Sequence, residues 1–514
     1  MVIAGTSPGY RRGMEIPREQ GGSASGQARR VTRRAALLGA AATAVLGAAV
    51  GGGVVAVSQQ ADRAESPAGA GQGAGERALM SARAVQAVIW GMPAVNYDRM
   101  LQAAIRVGGG ANRIVYWSRL LDWHNQSLTP DPNAVYLMPF YDTTDGPMVL
   151  DIPPAAADSS ITGSIDTVWQ TPLADVGPAG IDKGRGGRYL LLPPGYNRPV
   201  PDGFIALRSE TYAGFALLRS NPKTGSDTDV AAAAAYGKRV GLYPLAAAAK
   251  PPATPYDDAS GQDFDATIPY NREFFTALDR QVQGGPWLAR DMAMVDQLAA
   301  IGIRRGIDYQ SDSQTLTLLD NAAEQARTWI EDRYVKSFTP SYYDNSRWAA
   351  PADPDLLTAM QNGYPDPGGY PVEARGVMYS FGCFAAKTPG SGQFYLMTIH
   401  DVDGRDLDGG SNYRLTVPAA APVGLSWSVT AYDRATHALI REVDRAGRAS
   451  NTPGLRPDPD GSVDLHFGPI SPEGRRNNWI PTKSGQHFEV MFRCSGPRKP
   501  LLDKTWKLPD LIPT

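Results

Sequence analysis

Asp401, Asp403, Asp406 and Asp408 place four carboxylates within eight positions, on a stretch punctuated by Gly404 and Gly409. Calcium takes about six to eight oxygen ligands, so closely spaced Asp residues on a turn are calcium candidates. The spacing departs from an EF-hand, in which glycine follows the third acidic position, and a solvated pair of β-turns accounts for the same residues. His400 stands beside Asp401, the pattern of a base with an orienting carboxylate, and Asp131 is a second acid–base candidate. No serine partner completes a triad. The other histidines, His124, His437, His466 and His487, show no metal-ligand spacing among themselves. His437 is expected on a surface turn, and His466 and His487 on neighbouring strands.

A second constellation pairs aromatic faces with polar groups. Trp123, Tyr136, Trp169, Trp427, Tyr432, Asn478 and Trp479 combine flat apolar surface with donors and acceptors, as in a pocket for a sugar or another polar-apolar small molecule. The candidate ligand-binding set is Tyr136, Trp169, Asn478, Trp479 and Arg493; Arg493, near a strand end, suits a carboxylate or a structural Asp. Core packing is the competing account of Trp169 and Trp427. Residues 180–187, glycine-rich and basic, offer backbone amides that can cradle an anion or serve as a long turn. The string Gly5-Thr6-Ser7-Pro8-Gly9 fits a nucleophile elbow, but no strand precedes it.

These residues need elements to position them. The 55 Gly and 42 Pro lie mostly between short apolar segments, a pattern of strands joined by turns. One or two short helices, interrupted at Gly91-Met92-Pro93, are expected over residues 79–106. Residues 133–140 and 147–152 read as a hairpin across Asp142–Gly146, and further strands follow over 163–170, 188–192, 203–207 and 213–219. Helical spacing returns at 271–281, 286–301 and 313–334, clearest in Leu316, Leu319, Ala323, Ala326 and Ile330. Strands resume over 378–384, 394–400, 413–417, 426–432, 463–467 and 488–494. The expected fold class is α+β, mostly β: two antiparallel β-sandwich-like domains joined by a helical section, with residues 79–260 as the first, 261–376 as the connector and 377–514 as the second.

The chain's start carries an address. Thr32-Arg33-Arg34-Ala35-Ala36-Leu37-Leu38, followed by an uncharged run to Val57, reads as a twin-arginine export signal, so residues 1–58 are expected to be a disordered tail plus signal, and 59–78 a flexible linker. Cleavage after the small residues near Ala56 releases a secreted or cell-envelope protein; without cleavage, residues 35–57 are long enough to anchor it in a membrane. The expected partners are therefore the twin-arginine export machinery, a small-molecule or carbohydrate ligand, and a membrane only if the signal stays. The first 34 residues hold seven Arg and two Glu, so the whole-chain net charge of −2 leaves −7 for the body, residues 35–58 being uncharged. That balance, without a Lys/Arg stripe, argues against nucleic acid. Cys383 and Cys494 allow a single intrachain disulfide or two free thiols. No haem, iron–sulfur, nucleotide or flavin motif appears, and no cofactor is expected.

Leu128-Thr129-Pro130-Asp131-Pro132-Asn133, Asp145-Gly146-Pro147, Trp169-Gln170, residues 175–180 and Gly186-Gly187-Arg188-Tyr189-Leu190 together resemble the domain-of-unknown-function family 1254. Leu407-Asp408-Gly409, Tyr413-Arg414-Leu415, residues 427–430, Tyr432-Asp433, Asp460-Gly461-Ser462, Asn478-Trp479-Ile480-Pro481, Gly496-Pro497 and Trp506 resemble family 1214. Asp131 stands where the first family looks more like Asn, and Cys494 where the second favours Tyr. The resemblance implies two β-rich domains in tandem, of an exported bacterial type, and supplies no reaction. The leading reading is an exported protein that binds a small polar-apolar molecule or carbohydrate in a cleft of its β domains. The alternatives are an extracellular hydrolase of an ester, amide or glycan, and a structural or interaction protein of the cell envelope.

Overall fold

Two-residue alternation builds the layers. The computed structural model describes residues 68–514 except 157, 351, 365, 367–368, 383–385 and 389–391, so the twin-arginine segment and Cys383 lie outside the described residues. In the N-terminal half a six-stranded sheet runs in the order Tyr256–Asp258, Arg113–Tyr116, Val135–Asp142, Ala213–Ser220, Ile161–Thr167, Pro172–Val176. All of its neighbours are antiparallel except the first pair. A four-stranded sheet, Gly241–Pro244, Met148–Ile152, Gly187–Leu192 and Ile205–Arg208, covers one face. Leu137, Ile165, Ala216 and Leu218 meet Leu150, Tyr189, Leu191 and Leu242 between the two sheets. Their alternates Tyr136, Met138, Phe140, Phe215 and Leu217 point to the other face and pack in a core that includes helix Ala68–Arg106.

The C-terminal half repeats this logic with two four-stranded sheets. One runs Gln393–Thr398, Phe488–Ser495, Trp427–Asp433, Gly447–Ala449; the other runs Trp479–Pro481, Val463–Gly468, Tyr413–Val417, Ile512–Pro513. Phe394, Leu396, Val429, Val490 and Phe492 fill the space against Leu415, Val417, Leu465 and Phe467. The outward alternates Met397, Tyr432 and Met491 join the core of the N-terminal half. Helices Arg272–Gly284, Ser313–Lys336, Pro354–Gln361 and Val372–Phe381 contribute to that same core. Asn271 and Asp312 cap the first two by accepting from the amides of Glu273 and Thr315. Leu319, Ala323, Ala326, Ile330 and Tyr334 form the buried stripe of Ser313–Lys336, and each large apolar side chain so buried contributes roughly 1.5–3 kcal/mol. Gly73–Thr514 is consequently one compact unit, mixed α/β and mostly β.

Several expectations are corrected. Helix Ala68–Arg106 is continuous: it absorbs the end of the expected linker and passes through Pro93 without a break. Proline removes a hydrogen bond to the carbonyl four residues earlier, here Ile89. Gly376 packs closely over that carbonyl, where an added Cβ would sit 2.7 Å from the Ile89 oxygen. Val135–Asp142 and Met148–Ile152 belong to different sheets, so the turn at Asp142–Gly146 crosses between layers instead of closing a hairpin. Met378–Phe381 is the end of helix Val372–Phe381 rather than a strand; the alternation in Val377–Phe381 masks a helical face on which Arg375, Gly376 and Tyr379 are buried. Within 286–301 the α-helix is confined to Met294–Ala300. His466 and His487 do not share a sheet: Val463–Gly468 pairs in one, and the strand after His487 pairs in the other. His437 is buried, its Nδ1 2.9 Å from Glu489 Oε1.

Candidate functional site

The outward face of strand Phe488–Ser495 and the helix-side face of strand Ala213–Ser220 look onto one cavity of about 850 Å³. On the N-terminal side, Arg219 sits on the parity of Phe215 and Leu217, directly across the ladder from Tyr136. On the C-terminal side, Arg493 sits on the parity of Met491, directly across from Tyr395. Each sheet thus presents one arginine–tyrosine pair to the cavity, with Arg219 5% and Arg493 3% exposed. The guanidinium of Arg219 lies 5.3 Å from the Tyr136 ring centre; that of Arg493 lies 5.8 Å from Tyr395 and 5.6 Å from Tyr432. Leu357, Met360, Met378 and Phe381, from two helices, supply an apolar wall.

The loop 129–131 fixes this arrangement from behind. Arg493 Nη2 donates to the Thr129 carbonyl at 2.7 Å and to that of Pro130 at 3.4 Å, while Nη1 donates to Thr430 Oγ1 at 3.3 Å. Tyr432 Oη donates to the Pro130 carbonyl at 2.6 Å. The Asp131 amide donates to Tyr136 Oη at 2.8 Å. Thr129 adopts φ 41°, and its hydroxyl donates to the Phe381 carbonyl at 2.9 Å. The Asp131 carboxylate accepts from the Asn133 amide and side chain in a local turn, at 3.1 and 3.0 Å. Burial pushes the Tyr136, Tyr395 and Tyr432 phenols up, so all three are neutral hydroxyls. Burial opposes the charge on Arg493, and Tyr432 and Asp131 more than offset it.

Of the expected ligand-binding residues, Tyr136 and Arg493 share the cavity. Trp169 does not line it: the indole packs 4.6 Å from Trp90 in the core. Asn478 is fully buried in the C-terminal half, where it accepts from the Arg456 amide at 2.9 Å and donates to the Arg456 and Asp464 carbonyls at 2.8 and 2.9 Å. Trp479 Nε1 donates to the Gly468 carbonyl at 2.9 Å. These two side chains complete local backbone hydrogen bonds, and neither lines the cavity.

The expected orienting pair differs too. His400 Nε2 lies 3.2 Å from Asp406, whereas Asp401 accepts from the Arg405 amide. Asp403 pairs with Arg405 at 2.8 Å, and Asp408 accepts from the Gly410 amide and Ser411 hydroxyl. The four carboxylates thus serve separate partners, and among the described residues no three His, Cys, Asp or Glu side chains gather to hold a metal. The glycine-rich loop is filled by its own Asp182, which accepts from the amides of Gly177 and Gly186 at 2.7 and 3.1 Å and from Tyr189 Oη at 3.0 Å. Arg219 and Tyr395 escaped the sequence reading. The signal was present: an arginine sharing the parity of Phe215 and Leu217 faces a buried side.

The fold has solved relatives. The VPA0106 protein from Vibrio parahaemolyticus is similar at 15% identity and TM-score 0.53, over 85% of this chain and 100% of that chain. An uncharacterised protein from Burkholderia cenocepacia aligns at 10% identity and TM-score 0.38, over 87% of this chain and 97% of that chain. No curated protein matches. Residues 111–244 match the family described as protein of unknown function (DUF1254), and residues 392–499 match protein of unknown function (DUF1214). The strands carrying Tyr136 and Arg219 fall in the first match and those carrying Tyr395 and Arg493 in the second, so the two family matches lie in tandem along the chain.

Proposed function

We propose that this protein binds a small molecule with both apolar and polar surface in the cavity between its two β halves. The observation that carries this reading is the cavity of about 850 Å³, within the range of small-molecule sites and walled on one side by Met378, Phe381 and Met491 and on the other by Thr162, Ser164 and Asn221. A packed core of this size ordinarily leaves no such void. A carbohydrate fits less well than a molecule with an apolar body, because Trp169 and Trp479 are committed elsewhere. The hydrolase reading has weaker support: no histidine lines the cavity among the described residues, and His400 is paired at Asp406.

Met378 is half-buried on the cavity wall, so Met378→Trp adds bulk toward open space. An apolar fluorescent dye is expected to bind the wild-type chain and to lose at least about tenfold in affinity to M378W, with the fold retained by circular dichroism. Equal dye binding by a folded M378W overturns the reading. We further propose that the protein does its binding outside the cytoplasm, because of the signal at Thr32–Leu38. Replacing Arg33 and Arg34 by Lys should leave the chain in the cytoplasmic fraction, and unchanged fractionation would count against export by that route.

A further inference from the structure

Strand register grades the cavity lining in rows. Met397 lies across the ladder from Met491, Tyr395 from Arg493 and Gln393 from Ser495, and all six line the cavity. Residues two apart on a strand share a face, so this wall passes from apolar to polar in two steps of roughly 7 Å each. The N-terminal sheet repeats the order: Leu217 lies across from Ser164 and Arg219 from Thr162, and Asn221 follows beside Ser160, donating to its hydroxyl at 3.3 Å. Ser164 is the polar exception in the first row, and its hydroxyl is taken up by Asp175 at 2.7 Å. Burial orients both gradients alike. Met397, Met491 and Leu217 are buried, as are Leu357, Met360 and Phe381 beside them. Gln393, Ser495, Asn221 and Ser160 are half-buried, and the lining ends at the exposed Asp158 and Lys223. The closed end is therefore apolar and the open end polar.

The charged groups along this path are served by the protein itself. Arg493 donates to the Thr129 and Pro130 carbonyls and to Thr430. Burial opposes the charge on Arg219, and Tyr136, Tyr395 and Asp131 more than offset it; Asp131 acts on Arg493 as well. Asp175 also accepts from the amides of Lys387 and Thr388 at 2.8 and 2.6 Å, and Asp158 faces Lys223 at 3.6 Å where both are well exposed. Each charged side chain among the described lining residues thus has a protein partner. An ion brought to the closed end would lose its water without gaining a counter-charge, which is costly. The thioethers of Met360, Met397 and Met491 offer an apolar body adaptable contacts there instead.

Resting on the cavity reading above, we propose that the natural ligand is an uncharged amphiphile with a single polar end, seated apolar end first: its body lies against Met397, Met491, Met360 and Phe381, and its polar end stays among Gln393, Ser495, Asn221 and Ser160. A ligand polar at both ends is rejected, because a hydroxyl carried to the closed end gives up water and finds apolar neighbours.

The test is calorimetric titration of the full chain with 1,2-octanediol and, separately, with 1,8-octanediol, isomers that carry the same two hydroxyls at one end or at both. The 1,2 isomer should bind at least about tenfold more tightly. Met397→Gln, which puts an amide at the closed end, should narrow that ratio to about threefold or less; Met491→Gln serves in its place if M397Q does not fold. Octanoate should bind no more tightly than 1-octanol. Equal binding of the two diols, each weakened by M378W, overturns the orientation and leaves the cavity reading standing. A ratio unchanged in the folded glutamine variant overturns the placement of the apolar end, and a tenfold preference for octanoate overturns the uncharged head. Failure of all four probes while the dye binds overturns this proposal alone; failure of the probes and the dye overturns the two readings together.

Discussion

Two of the buried arginine–tyrosine clusters among the described residues are finished differently. Arg375, 1% exposed, donates to Tyr364 Oη and to the Trp169 carbonyl, with its guanidinium 4.7 Å from the Tyr364 ring centre and 4.9 Å from that of Tyr370. Beside it, Arg290 pairs with Glu210, and Trp90 Nε1 donates to Asp291 at 2.8 Å. Burial pushes the Asp291 carboxyl up. Arg375 keeps no buried atom without a hydrogen-bond partner, although Nε of its neighbour Arg290 and Oδ2 of Asp291 lack one; Arg493 Nε is another such atom, on a residue that lines a cavity. The same residue types serve packing where carbonyls, rings and acids close around them. Around Arg493 the closure is looser: one donor is left over on a residue that lines a cavity.

The comparison can be broken experimentally. Arg375→Met should cost about 3 to 5 kcal/mol in urea unfolding, because it strands the Trp169 carbonyl and removes a cation from beside Asp291. A loss below about 1 kcal/mol would make the two clusters equivalent and dissolve the distinction. Arg493→Met should cost less, about 1 to 2 kcal/mol, since the abandoned Thr129 carbonyl is offset by no longer burying an incompletely bonded guanidinium. If R493M unfolds as readily as R375M, Arg493 is a structural residue first. Tyr364→Phe removes one acceptor from Arg375 and keeps the ring, for about 1 kcal/mol by the same measurement.

The smallest effect concerns a basic group that, unlike arginine, escapes burial by losing its proton. Burial lowers the His466 imidazole below its ordinary value. The unfolded chain then binds more protons than the folded one below about pH 6.5. His466 thus favours the folded state fully above that pH, and the contribution is lost as pH falls through the depressed value. His466→Gln should flatten the decline in melting temperature between pH 7 and pH 5; a decline identical to wild type would remove His466 from the account.

Much of the framework was legible locally. The strands over 213–219, 394–400, 413–417, 426–432 and 488–494 were read within a few residues, because apolar alternation between Gly- and Pro-rich turns is a local signal. The capped helix Ser313–Lys336 was legible for the same reason. Local signals misled where long-range packing overrode them. Pro93 reads as a break, yet the buried helix around it continues against Gly376; Val377–Phe381 alternates, yet belongs to a helix. The candidate site was half legible. Tyr136 and Arg493 were found, while Trp169 and Asn478 carried the same residue chemistry into separate cores.

The sequence by itself determined that this is a mostly β chain with two segments that resemble known families in tandem, and with alternating strands that must bury one face. It also placed Tyr136 and Arg493 on strands. Only the tertiary structure decided which face met a core and which met a cavity, and that Arg219 and Arg493 would line the same one. The physical reason is one of range. A strand's two-residue period assigns each side chain to a face through its own backbone, whereas what that face meets depends on elements hundreds of residues away that pack against it.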